Sequence, residues 1–100
     1  MRLVVVQGAA QGTQLRLDDR HGFAVGRSPE ADLTLDDPAV ADIHLRAYRE
    51  AEGWLAFDMS NAGFVHNGAR VQRAQLAPGD TLQVGAHALR LLSDAAPSSP

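Results

Sequence analysis

Cysteine is missing from this chain, which excludes a disulfide framework and any thiolate-held metal and permits a reducing compartment. Lysine is missing as well: the nine basic residues are all arginine, and they are scattered rather than grouped. With a net charge of -3, the chain lacks the clustered positive charge that nucleic acid or an anionic membrane surface demands. Long hydrophobic runs are absent too. The stretch at residues 3–6 breaks at Gln7-Gly8, far too short to cross a bilayer or to serve as a secretory signal. These absences predict a cytoplasmic location, no nucleic-acid partner and no direct membrane insertion by these residues.

What is present fits one domain. A chain of 100 residues that is 45% apolar is large enough to bury a core of its own. Gln14-Leu15-Arg16-Leu17 and Thr81-Leu82-Gln83-Val84 alternate polar with apolar, as half-buried strands do. Turn chemistry recurs between the apolar stretches, at Gln11-Gly12, Asp18-Asp19-Arg20-His21-Gly22, Asp36-Asp37-Pro38, Glu52-Gly53, Asn67-Gly68 and Pro78-Gly79-Asp80. Asn67-Gly68 is the strongest hairpin signal, because a two-residue turn that matches strand twist needs positive φ at both positions.

The pattern predicts strands at 2–6, 13–17, 23–26, 33–35, 43–49, 54–58, 64–66, 69–72, 81–84 and 87–92. The implied fold is all-β, a two-sheet sandwich of about ten to eleven mostly antiparallel strands. Residues 39–52 have helix-forming composition, but Ile43, Leu45 and Ala47 alternate with His44, Arg46 and Tyr48, which favours a strand. Residues 93–100 lose the apolar pattern and gain Pro and Ser, so a domain over 1–92 and a flexible tail or linker over 93–100 are expected.

Catalytic patterns are weak. His21, His44, His66 and His87 stand too far apart for a local metal motif, and no helix is expected to bring two onto one face. Ser28 and Ser60 lack the strand–turn–helix elbow of a nucleophilic serine. The pairs Asp18-Asp19 and Asp36-Asp37 read as turn residues that bond their own backbone. The chain is therefore read as non-enzymatic, with no metal and no cofactor.

Taken in order, Phe23-Ala24-Val25-Gly26-Arg27-Ser28, Asp32-Leu33-Thr34-Leu35-Asp36-Asp37-Pro38, Ile43-His44-Leu45, Asn67-Gly68 and Pro78-Gly79-Asp80 resemble a forkhead-associated (FHA) domain, a small β-sandwich that reads phosphothreonine. The resemblance spans residues 3–92. It implies that Arg27, after Gly26, presents a planar fork to phosphate oxygens. It also implies that His44 braces the loops through its ring nitrogens. Gly26, His44, Asn67 and Gly68 are thus assigned structural roles, while Arg27, Ser28, Asp42, Ser60 and Asn61 are the candidate peptide-binding residues.

The binding loops depart from the family pattern. Ala41 stands where the family has a serine that donates to phosphate, and Asp42 beside it repels a group carrying about -1.5 to -2 charge. The third loop, Asp58 to Gly68, is one residue shorter than the family's. Anchoring on Asn67-Gly68 puts Ser60 at the family serine, Asn61 at its threonine and Ala62 at its asparagine; in another alignment Asn61 fills the asparagine role. Each lost hydrogen bond to a charged group costs about 1.5 to 3 kcal/mol, so these changes together weaken phosphate binding roughly a hundredfold or more.

Two readings follow. In the first, the chain is a phospho-independent protein-interaction module in a bacterial signalling or secretion-related assembly, with Arg27 in an ion pair with Asp42 or Asp32. In the second, it is a phosphothreonine reader that uses Arg27, Ser28, Asn61 and backbone donors in a rearranged pocket. The run Ala41-Asp42-Ile43-His44-Leu45 also resembles the cytoplasmic FHA-like domains of bacterial secretion-system inner-membrane ring components. The partner is expected to be a protein, unphosphorylated or carrying phosphothreonine, docked at the loop tips or on a sheet face exposing Tyr48 or Arg46.

Overall fold

Period-two burial builds the molecule. Leu45 and Ala47 are fully buried while Arg46 and Tyr48 face outward, so this segment is a strand and its helix-forming composition is overridden. The computed structural model describes residues 1–18, 20–50 and 53–92. They form β1 (Arg2–Gln7), β2 (Gln14–Arg16), β3 (Gly22–Gly26), β4 (Leu33–Thr34), β5 (Leu45–Glu50), β6 (Gly53–Asp58), β7 (Phe64–His66), β8 (Ala69–Val71), β9 (Arg73–Leu76), β10 (Thr81–Val84) and β11 (His87–Leu92). The expected tail over 93–100 and the turn positions Asp19 and Glu52 lie outside the described residues.

One sheet has six strands in the order β2-β1-β11-β10-β7-β8; the other has five, β4-β3-β5-β6-β9. Every pairing is antiparallel except β3 with β4, where Val25 pairs with Leu33 and Gly26 with Thr34. This is the expected all-β sandwich.

One strand was not foreseen. The sequence pattern ends a strand at residue 72, yet β8 stops at Val71 and β9 begins at Arg73, so the chain leaves one sheet and enters the other at Gln72. No Gly or Pro marks that crossing, which is why pattern alone missed it. The Gln72 carbonyl accepts the Asp58 amide at 2.8 Å and pins the switch. The Asn67-Gly68 turn forms as expected, with φ of 50° and 88° and with His66 paired to Ala69 across it.

Between the sheets lie Leu3, Leu89 and Leu91 from one side and Phe23, Trp54 and Leu76 from the other. Burying each such side chain contributes about 1.5–3 kcal/mol. The Phe23 and Trp54 rings sit 5.1 Å apart, and the Arg49 guanidinium covers Trp54 while donating to the Leu17 carbonyl at 2.7 Å. The core thus fixes the register of both sheets, and three loops emerge together at one end: 27–32, 35–44 and 59–63.

Candidate functional site

Gly26 ends β3 at the base of this loop cluster. It does not have a positive φ, so conformational freedom is not what the position requires of glycine. A Cβ here would collide with the Asp42 backbone carbonyl, and that close approach is what requires glycine. Because the two segments touch, the Arg27 amide donates to the Ala41 carbonyl at 2.9 Å and the Ser28 amide to the Asp42 carbonyl at 3.1 Å.

His44 is 4% exposed and ties the second loop to the third. The Ala41 amide can only donate, so Nδ1 of His44 accepts it at 3.1 Å; the ring proton then sits on Nε2 and is donated to the Gly63 carbonyl at 3.0 Å. Both ring nitrogens of His44 are thereby used, one toward each of the two loops.

Ser60 lies 3.3 Å from the same Nε2, but its hydroxyl proton goes to Asp58 Oδ1 at 2.6 Å, and its oxygen accepts the Ala62 amide at 3.0 Å. Burial works against the Asp58 carboxylate, yet the Ser60 hydroxyl and the amides of Ser60, Gly63 and Asn61 outweigh it and hold its pKa below the ordinary value. The Arg70 guanidinium closes the loop from outside by donating to the Ala62 carbonyl at 2.7 Å.

Asp37, which sequence reading treated only as a turn former, is buried and has a second task. Its Oδ1 accepts the Ala39 amide two residues on, as expected, while Oδ2 accepts the Ala86 amide at 2.8 Å. The Ala86 and Ala39 amides, helped by His87, keep this carboxyl below its usual pKa against the effect of burial. No local pattern links Asp37 to a residue so distant in the chain.

Hydrogen-bonding capacity in the loops is thus turned inward. The amides of Arg27, Ser28, Glu30, Ala31, Ala39, Ala41, Ser60 and Ala62 all have acceptors within the cluster. The Ser28 hydroxyl accepts the Glu30 amide at 3.1 Å. Asn61, at φ 67°, is exposed, and its side chain has no partner among the described residues.

Arg27 corrects an expectation. Asp32 is taken by Arg20 at 2.8 Å and by the Ala24 amide at 2.7 Å, so it is not the partner of Arg27. Asp42 is exposed and makes no ion pair either, leaving the Arg27 guanidinium exposed and unpaired among the described residues. Arg27, Ser28, Asp42, Ser60 and Asn61 all lie on the braced loops at this end. Only Ser60 among them has its side chain in the His44–Asp58 network.

Among the described residues there is no group of three or more His, Cys, Asp and Glu placed to hold a metal, and no helix long and apolar enough to cross a membrane.

A family model described as the cytoplasmic domain of the inner membrane component of T3SS, the type III secretion system, matches residues 4–95. A solved FHA domain from a structural and functional study of phosphothreonine-dependent FHA domain interactions is 27% identical, with TM-score 0.78 over 95% of this chain and 97% of that one. The FhaA FHA domain, crystallised with the intracellular domain of Rv3910, is 29% identical, with TM-score 0.74 over 89% of this chain and 96% of its own. The cytoplasmic domain of the T3SS sorting platform protein PscD from P. aeruginosa is 23% identical, with TM-score 0.78 over 95% of this chain and 81% of its own, a likeness of fold alone. No curated protein matches the sequence. A family match over residues 4–95, together with likeness to a solved FHA structure over 95% of the chain, makes this chain an FHA domain belonging to the family of cytoplasmic domains of the T3SS inner membrane component.

Proposed function

We propose that this FHA domain is a non-catalytic protein-interaction module that binds its partner without requiring phosphothreonine, on the cytoplasmic side of a secretion-related or signalling assembly. FHA domains are protein-interaction modules, and the family match supplies the secretion context. In this reading residues 1–92 form the binding unit and residues 93–100 connect it to other parts of the assembly.

The observation that carries the proposal is the closed hydrogen-bond network of the loops. With the Ser60 proton on Asp58, Ala41 in place of a hydroxyl and eight of the loop amides engaged, Arg27 is the cationic donor that remains, on loops that also carry the repelling carboxylate of Asp42. An exposed charge pair is worth only about 0–1 kcal/mol, which corresponds to a preference for phosphate of at most about fivefold.

A second reading, a phosphothreonine reader, is favoured by one specific observation: Arg27 is exposed and unpaired, as a phosphate-binding arginine must be. The 27% identical relative from the study of phosphothreonine-dependent interactions points the same way. Titration of a phosphothreonine peptide library and its unmodified twin by fluorescence anisotropy separates the two. The proposal expects less than about tenfold preference for the modified set. A preference of about a hundredfold or more that disappears in Arg27→Ala replaces it with the second reading.

A further inference from the structure

The outer face of the five-stranded sheet carries side chains that the loop network does not use. Across β3, β5, β6 and β9 the register places Ala24, Arg46, Phe57 and Arg73 in one row, and Gly22, Tyr48, Leu55 and Gln75 in the next. Met59 continues the Leu55–Phe57 series one residue beyond β6, where its amide still pairs with the His44 carbonyl.

Tyr48 is 49% exposed and Met59 52%, so two of the molecule's exposed large apolar side chains lie on this face. Tyr48 and Phe57 have ring centroids 6.1 Å apart, and the Arg73 guanidinium lies 5.7 Å from the Phe57 centroid. Arg46 is exposed and has no hydrogen-bond or ion-pair partner among the described residues.

Aromatic and arginine side chains are the anchors that protein interfaces concentrate. Here the aromatic rings are fixed by strand register and Arg73 is held over Phe57, so little freedom remains to be lost on binding. The sign of the face selects the partner. Its strands offer two arginines near the loops and one carboxylate, Glu50, at the opposite end of β5, while Asp32 at the β3 edge is occupied by Arg20. A second copy laid face to face would set two arginines against one Glu50 from each side and leave charge uncompensated.

We propose that this face docks an acidic protein segment with an apolar centre, whose aliphatic side chains cover Tyr48, Phe57 and Met59 while its carboxylates meet Arg46 and Arg73. The proposal deepens the reading of the domain as a protein-interaction module and rests on it.

The test is an NMR titration of the isotope-labelled full chain with a short amphipathic peptide of glutamate and leucine, alongside its lysine–leucine counterpart and vesicles containing phosphatidylserine. The expected result is amide shifts at Arg46, Tyr48, Phe57 and Arg73 with the acidic peptide alone. Affinity should weaken about tenfold or more in the double variant Arg46→Glu/Arg73→Glu, and also as salt is raised. Both arginines are exposed, so the variant's unperturbed spectrum verifies its fold; Tyr48→Ser supplies an independent, charge-neutral loss of binding.

Equal shifts with the lysine peptide, vesicle binding through these residues, self-association that occupies the face, or no shifts on it would each overturn the docking proposal. Shifts confined to residues 27–32 and 60–63 would overturn it while leaving the module reading intact. A strict requirement for phosphothreonine at those loops would instead overturn the phospho-independent reading alone.

Discussion

The loop end and the outer face of the five-stranded sheet adjoin each other, yet they treat polar groups in opposite ways. At the loop end, His44, Asp58 and Ser60 spend their donors and acceptors on the loops themselves. On the sheet face the backbone is satisfied by neighbouring strands, so Arg46, Tyr48 and Arg73 are left facing outward. A loop without ladder hydrogen bonds must satisfy its backbone from side chains or water; a strand need not. The resemblance to a phosphopeptide reader draws the eye to the loops, where Arg27, Asp42 and Asn61 keep unpaired side chains among the described residues, but the sheet presents Arg46 unpaired as well, beside the exposed Tyr48.

The sharpest way to break this contrast is His44→Ala. It removes a buried ring and two hydrogen bonds, and it should cost about 3 kcal/mol in urea unfolding while exposing the Ala41 amide to exchange. A loss under about 1 kcal/mol would mean the loops hold themselves without the brace.

Gly26→Ala comes next. Its Cβ has to displace the Asp42 backbone, which should cost about 2 kcal/mol and disturb the Arg27–Ala41 and Ser28–Asp42 pairings.

Acid provides a smaller, reversible perturbation. The folded pKa of Asp58 lies below its ordinary value of 3.8, so the unfolded chain takes up the proton first. The stability this carboxylate contributes is complete above 3.8 and is lost as pH falls through the lower folded value. Asp37 and Asp80 shift the same way, so the loop-specific readout is amide exchange at Asn61 and Ala62, whose acid sensitivity Asp58→Asn should abolish.

The smallest effects are expected where side chains are unpaired. Arg27→Ala and Arg46→Ala should each change unfolding free energy by no more than about 0.5 kcal/mol. A larger loss in Arg46→Ala would show that a sheet-face side chain has a structural partner, which would erase the difference between the two regions.

Much of the fold was legible in the chain. Alternation marked β5 despite its helix-forming composition, and Asn67-Gly68 marked its hairpin, because both are local consequences of side-chain direction and φ. The missed element was β9: a change of sheet at Gln72 needs no special residue, so it leaves no local sign.

At the site, the turn habit of aspartate accounted for the Asp37–Ala39 contact. The expected ion pair of Arg27 with Asp42 or Asp32 does not form: Arg20 holds Asp32, and Asp42 has no ion-pair partner among the described residues. Nor was it legible that the Ser60 proton belongs to Asp58, since spacing does not say which way a hydroxyl points.

The amino-acid order by itself determined most of the strands and turns and the presence of Arg27 next to Gly26, since each depends on residues within a few positions of one another. Only the tertiary structure decided which polar groups stay available. That choice rests on which backbone carbonyls and carboxylates are brought within hydrogen-bonding distance from afar: the Asp42 carbonyl to the Ser28 amide, the Gly63 carbonyl to His44 and the Asp37 carboxylate to the Ala86 amide.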